Sequence, residues 1–327
     1  MKVAGRRTWP LVVIGVLLVL LTAIGLVLQG HDARDAFIVV ALLQGALYLG
    51  AVWLVLRGGV PRHGFLMILG VAAAMRLGVA LSPPYLSDDL YRYVWDGRIE
   101  AAGINPYRYV PSDTHIASLR DEAIYPNINR RTYARTIYPP VAEYIFFLTT
   151  RISESAIGMK LTMVALEIAS VGILLRLLAL AGLPRERILI YAWHPLALWE
   201  FAGSGHIDAA IVTFTALALW ARRRELAWLT GIALACAALV KFFPAVIFPA
   251  LYRRWDWKMP LAAVAAVILA YLPFLSAGPA IFGFLPGYVA EEGLDSGAGF
   301  FLWNLVKTVV PIAAIGVLPY LVVAAAV

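Results

Sequence analysis

A chain of 327 residues that is 62% hydrophobic, only 14% charged and +0.80 in mean hydropathy cannot be an ordinary soluble domain. One cysteine, Cys236, excludes an internal disulfide framework. The net charge of +7 needs no nucleic-acid partner, because the basic residues fall where membrane topology calls for them.

In chain order, apolar runs long enough to span a bilayer cover 10–28, 36–56, 65–81, 158–181, 259–275 and 301–327, with shorter runs at 188–201, 209–221, 226–240 and 243–251. Each can satisfy its backbone only as a helix, since a closed barrel would show period-two alternation. The expected fold is therefore an all-α polytopic membrane protein of about ten transmembrane or half-membrane helices. Lys2, Arg6 and Arg7 precede the first run, which reads as an uncleaved anchor with a cytoplasmic N-terminus. Arg57 and Arg62, Arg185 and Arg187, Arg222 to Arg224, and Arg253, Arg254 and Lys258 then share the cytoplasmic side. This divides the chain into N-terminal helices at 1–82, a large extracytoplasmic loop at 83–155 and a second bundle at 156–327. The last residues, up to Val327, end within an apolar run, as if further helices followed.

The loop has readable structure. Ser87 suits an N-cap, Asp88 and Asp89 suit the positive end of a helix, and Gly103 and Pro106 stop it, which predicts a helix over 88–102. Asp89, Arg92 and Asp96 share one face, so this helix is expected to lie on the membrane surface with its carboxylates toward a cleft. The aromatic residues Tyr91, Tyr93, Trp95, Tyr107 and Tyr109 are expected as interfacial anchors. A second juxtamembrane helix is expected over 141–150, after Tyr138, Pro139 and Pro140. The polar stretch 111–135 has no readable period.

Run 226–240 is about 22 Å long as a helix, at 1.5 Å per residue, against a hydrocarbon core of about 30 Å. Such helices must end below the membrane surface. Their shared outer ends, 203–208 and 241–244, bring His206, Asp208 and Lys241 to depth, which predicts a recessed cavity roofed by the loop.

The motifs SDDLYRYVWDG (87–97), GINPY (103–107), YPP (138–140), EFAGSGHIDA (200–209) and KFFP (241–244) resemble bacterial GT-C glycosyltransferases, and most of all the polyprenyl-phosphate-mannose-dependent mannosyltransferases. The resemblance spans roughly 82–249. It implies a GT-C-like bundle, a polyprenyl-phosphate sugar donor with mannose as its sugar, a glycan or glycolipid acceptor, and an acid of the first large loop as base. It also implies residence in the bacterial inner membrane with an extracytoplasmic active site. Inverting sugar transfer needs a carboxylate to take the acceptor's proton and cations to meet the leaving phosphate. Asp88 and Asp89 are the candidate bases, with Asp88 preferred. Lys241, Arg92, Arg135 and His206 are the candidate phosphate ligands. Asp96, Asp208 and Tyr138 are the candidate substrate contacts, although Asp96 could equally pair with Arg92 or Arg98. No cofactor and no metal are expected, since five histidines are scattered without ligand spacing. A transporter or flippase is the alternative reading, because buried charges and broken helices suit it too, and a lipid-binding subunit without catalysis is a third.

Overall fold

The computed structural model describes residues 4–57, 62–293 and 304, and the elements within them are helical. The chain opens with α1 (Ala4–Gly30), α2 (Arg34–Leu56) and α3 (Arg62–Ala80). Next come α4 (Asp89–Ala101) and, after an irregular stretch, α5 (Pro140–Ile152) and α6 (Ala156–Leu180). The second half is more broken: α7 (Leu189–Ala192), α8 (Pro195–Ala197), α9 (Asp208–Arg223), α10 (Ala227–Ala238), α11 (Phe248–Leu251), α12 (Lys258–Tyr271) and α13 (Leu285–Glu291).

Among the described residues, four helical segments are long and apolar enough to cross a membrane: Trp9–Gly30, Arg34–Leu56, Ala156–Leu180 and Lys258–Glu291. A fifth results if Pro195–Gly203 and Asp208–Arg223, which meet at a 119° bend, count as one broken span. This is a multi-pass membrane protein. The runs expected to be short are short or broken, with 226–240 forming Ala227–Ala238 and 188–201 and 243–251 dividing into 3₁₀, π and single α turns, while Gly64–Ala80, expected to span, is also short. The run 301–327 lies outside the described residues apart from Asn304. Outward side chains such as Leu42, 69% exposed, and Val39, 56% exposed, belong against hydrocarbon, since water would penalise a surface so continuously apolar.

Polar groups inside the spans pair with one another, as low-dielectric surroundings require. Arg76 of α3 meets Glu167 of α6 at 2.7 Å and donates to the Ala192 carbonyl at 2.6 Å. Lys160, fully buried, donates to the carbonyls of Val79 and Ser82 at 2.9 and 2.6 Å. These bonds fasten α3 and α6 to the broken segment before α9. The basic connections gather at one end of the bundle, where Leu56, Ala181, Arg187 and Arg223 border a single pocket and Arg222 pairs with Asp256 at 2.8 Å.

The expected surface helix is instead an interior one. Helix α4 begins at Asp89, with Asp88 at its cap position, while the Ser87 hydroxyl accepts from the Asp89 amide at 3.2 Å. Arg92, Tyr93, Val94, Trp95 and Asp96 are all buried. The physical reason is close packing on α5: a Cβ at Gly97 would fall on the Phe146 carbonyl, so only glycine lets the two backbones approach so nearly. The unreadable stretch covers the opposite side through Ile116, Ile124 and Ile128, set on short 3₁₀ turns at Thr114–Leu119 and Tyr125–Asn127. Tyr93, Trp95 and Tyr107 are therefore core residues and not interfacial anchors. Tyr93 stacks on Phe146 with ring centroids 4.4 Å apart, and the Tyr107 hydroxyl donates to the Tyr138 carbonyl at 2.6 Å. Arg98 ties this unit together by bonding Asp121 at 2.6 Å and also Glu154.

Candidate active site

The N-terminal end of α4, the stretch before α5, the turn after α10 and helix α13 enclose a cavity of about 540 Å³. Asp89, Arg92, Arg135, Tyr138 and Lys241 all line it. Asp88 is exposed and is not among the lining residues. Asp89 Oδ1 accepts from the Asn129 side chain at 2.8 Å, which fixes the carboxylate while leaving its other oxygen free of any protein donor that the structure places.

Arg92 is held from behind. Its Nε lies 2.8 and 2.9 Å from the two carboxylate oxygens of Asp96, and one terminal nitrogen donates to the Ala134 carbonyl at 3.0 Å. Its Nη2 is buried and has no partner among the described residues. An unsatisfied guanidinium donor at a cavity wall costs free energy that an anionic ligand would recover. Asp96 therefore resolves as the partner of Arg92 rather than of Arg98. It is fully buried and is not among the residues that line the cavity.

Behind this pair lies an acid cluster that the sequence reading did not single out. Glu143 of α5 is fully buried and accepts from the Thr136 hydroxyl at 2.5 Å, and the carboxyl of Glu100 lies in the same acidic cluster. Burial pushes the Glu100 carboxyl up to about 7, with Glu143 opposing the rise and the charge of Asp96 adding to it. Glu143 is also held well above the usual carboxylate range by burial, then by Asp96 and Glu100.

The recessed turns meet as their charges suggested. Lys241 Nζ lies 2.6 Å from Asp208 Oδ2, joining the turn after α10 to the first residue of α9. The anion beside Lys241 is thus a protein carboxylate. His206 bonds Glu200 at 2.6 Å and opens, with Asp208 and Lys241, onto a neighbouring and largely apolar groove that includes Leu196, Phe201 and Val212. Gly205 adopts φ +73°, and a Cβ there would strike Leu90, so the turn between the π segment and α9 requires glycine. Lys241 borders both the groove and the main cavity.

Several lining residues escaped the sequence reading. Asn129 and Arg130 sit in the stretch without period, and Phe284, Tyr288 and Glu292 come from 276–300, a stretch to which the sequence reading assigned no element. Arg130 binds Glu291 at 2.9 Å and Glu292 at 3.0 Å, which clamps α13 over the opening. A left-handed backbone at Arg130, φ +51°, in a chain position after Asn129 is the sole local hint of that turn.

Residues 12–256, well over half of the chain, match the MptA/B family profile, described as alpha-(1->6)-mannopyranosyltransferase, N-terminal domain. The chain belongs to this family. It is a GT-C mannosyltransferase, and the MptA/B family takes mannose from polyprenyl-phosphate mannose and adds it to a glycan acceptor. The match runs from α1 to the turn before α12 and so contains every loop and recessed turn described above apart from the α13 clamp. No curated protein and no solved structure matches the chain.

Proposed function

We propose that mannosyl transfer takes place in the 540 Å³ cavity, with Asp89 as the base and Arg92, Lys241 and Arg135 as ligands of the leaving phosphate. The observation that carries this reading is that Arg92, whose Nη2 has no partner among the described residues, lines the same cavity as a carboxylate and a lysine. The acceptor hydroxyl oxygen attacks the anomeric carbon as its proton passes to Asp89. The bond from that carbon to the phosphate oxygen breaks, and its electron pair leaves with the polyprenyl phosphate. A single displacement inverts the anomeric centre, so a β-linked donor gives the α-linked product in the family's description. Positive charge placed where the leaving oxygen becomes an anion lowers the barrier most when water is excluded.

The apolar groove beside Lys241 suits the donor's hydrocarbon chain, and His206 with Glu200 shapes that groove instead of meeting phosphate directly. Asp208 acts as the tether of Lys241. Asp88 occupies the cap position of α4 without a side-chain bond to the helix, and Tyr138 shapes the wall. The basic connections at the opposite end of the bundle support an extracytoplasmic cavity, since cytoplasmic loops concentrate Lys and Arg.

Purified full-length protein with radiolabelled polyprenyl-phosphate mannose and an α-mannoside acceptor tests the reading. Labelled, α-linked product is expected. Donor binding without transfer, or a retained anomeric configuration, would overturn it.

A further inference from the structure

At the far end of α4 lies a second cavity, of about 560 Å³, that the chemistry above leaves unused. Glu100 borders it eleven residues after Asp89, which places it about 16 Å further along the helix axis at 1.5 Å per residue. Its walls come from the GINPY loop, from His115 and from the 3₁₀ segment Leu272–Phe282. That segment leads directly into α13, so one continuous strap borders both cavities.

The lining differs in kind from that of the first cavity. Tyr109 and His115 stack with ring centroids 5.4 Å apart and an interplanar angle of 19°, and the Arg108 guanidinium lies 5.5 Å from the Tyr109 ring. Asp113 anchors the His115 ring at 2.7 Å. Asn105 donates to the Phe274 carbonyl and to the Ser276 hydroxyl, both at 3.0 Å, and so fixes the loop to the strap. Glu100 presents a buried Oε1 without a partner.

Each class of ligand makes its own demand on these groups. A phosphate would meet the acid, an organic cation would meet Arg108, and a lipid chain would leave Glu100 without hydrogen bonds in a dry site. An uncharged polyhydroxylated ring satisfies all three, with its apolar face on the outer face of His115, which Tyr109 backs, and its hydroxyls toward Glu100 and Arg108. We infer that this second cavity holds a sugar residue of the acceptor glycan, remote from the residue being extended at Asp89. The inference rests on the proposed site of transfer. It makes the protein an enzyme that senses acceptor length, because only an acceptor spanning both cavities gains the distant contacts.

The test compares synthetic α-1,6-linked mannose disaccharide and hexasaccharide as acceptors for the full-length protein. The hexasaccharide is expected to show a kcat/KM about tenfold higher, the gain from one added stacking or hydrogen-bonding contact. Arg108→Ala combined with Tyr109→Ala should bring the hexasaccharide down to the disaccharide value and leave the disaccharide unchanged. His115→Ala, at a side chain 71% exposed and so safe for folding, should reduce the same ratio. Equal values for the two acceptors in the wild type, or variants that lower both alike, would overturn the inference while leaving the site of transfer standing. Absence of transfer to either acceptor would instead overturn both.

Discussion

Replacing Asp89 by asparagine isolates the proton-accepting role of that residue. The asparagine oxygen can still accept the 2.8 Å bond from Asn129, and the side chain keeps its size, so the cavity wall should be undisturbed. Because Asp89 is only half-buried, the lost charge costs little stability, about 1 kcal/mol or less for one exposed interaction. The chemical step suffers far more. A positioned base contributes roughly 10²- to 10⁴-fold, which at about 1.36 kcal/mol per decade is about 3 to 5 kcal/mol on the barrier. Initial rates with labelled donor at saturating acceptor should show kcat down at least a hundredfold, with donor KM within a few-fold of the wild type. Asp88→Asn is the control: an exposed residue outside the cavity lining should keep its rate within a few-fold. A retained rate in Asp89→Asn, or an equal loss in Asp88→Asn, would refute the assignment and return the base to the residue that sequence alone preferred.

Two further outcomes follow from the same geometry. Lys241→Met removes the cation at the junction of cavity and groove and leaves Asp208 unpaired, so competitive inhibition by free polyprenyl phosphate should weaken about tenfold or more, the worth of one charged hydrogen bond; an unchanged inhibition constant would show that phosphate does not reach this lysine. The acid cluster should make the fold sensitive to pH. Glu100 and Glu143 hold protons more tightly folded than unfolded, so their contribution is complete below the ordinary value of 4.5 and is lost as pH rises through about 7. For Glu100 the rise corresponds to on the order of 3 kcal/mol. Thermal inactivation in detergent should accordingly be slower at pH 5 than at pH 8, and Glu143→Gln, whose amide stays neutral at both, should flatten that difference; an unaltered profile would place the sensitivity elsewhere.

Sequence reading succeeded where a residue contradicted its surroundings. Lys241 and Asp208 stood out as charges at the ends of apolar runs too short to span, and the structure joins them at 2.6 Å. The acidic start of α4 and the Pro140 start of α5 were legible because caps and prolines act locally. What failed was anything decided by packing across the chain. The face analysis of α4 treated Arg92 and Asp96 as surface groups, because nothing in their spacing announces that Gly97 admits α5 and that Ile116, Ile124 and Ile128 close the other side. Asn129 and Arg130 carry no periodic signal at all. Tyr288 and Glu292 are positioned by an ion-pair clamp more than 150 residues away in sequence from Arg130, and no local rule reaches so far.

Two cations of the cavity, Arg92 and Lys241, share one arrangement that bears on the proposed capture of an anionic donor. A lysine or arginine without a counter-ion in low-dielectric surroundings is costly. Lys241 is held by Asp208, and Arg92 by Asp96 and the Ala134 carbonyl, so each of these two charges has a carboxylate of its own. Each cation nevertheless keeps donor capacity for a ligand, Arg92 through its free Nη2 and Lys241 through protons not used on Asp208. The tethers differ in a way that assigns different tasks. Asp96 is fully buried, so in the proposed role Arg92 would be a fixed reference for the phosphate. Asp208 and Lys241 are both partly exposed and lie on separate turns, so that pair can loosen as phosphate enters and re-form as it leaves. A donor whose phosphate must be gripped during transfer and released afterwards, once it has given up its sugar, needs one cation of each kind.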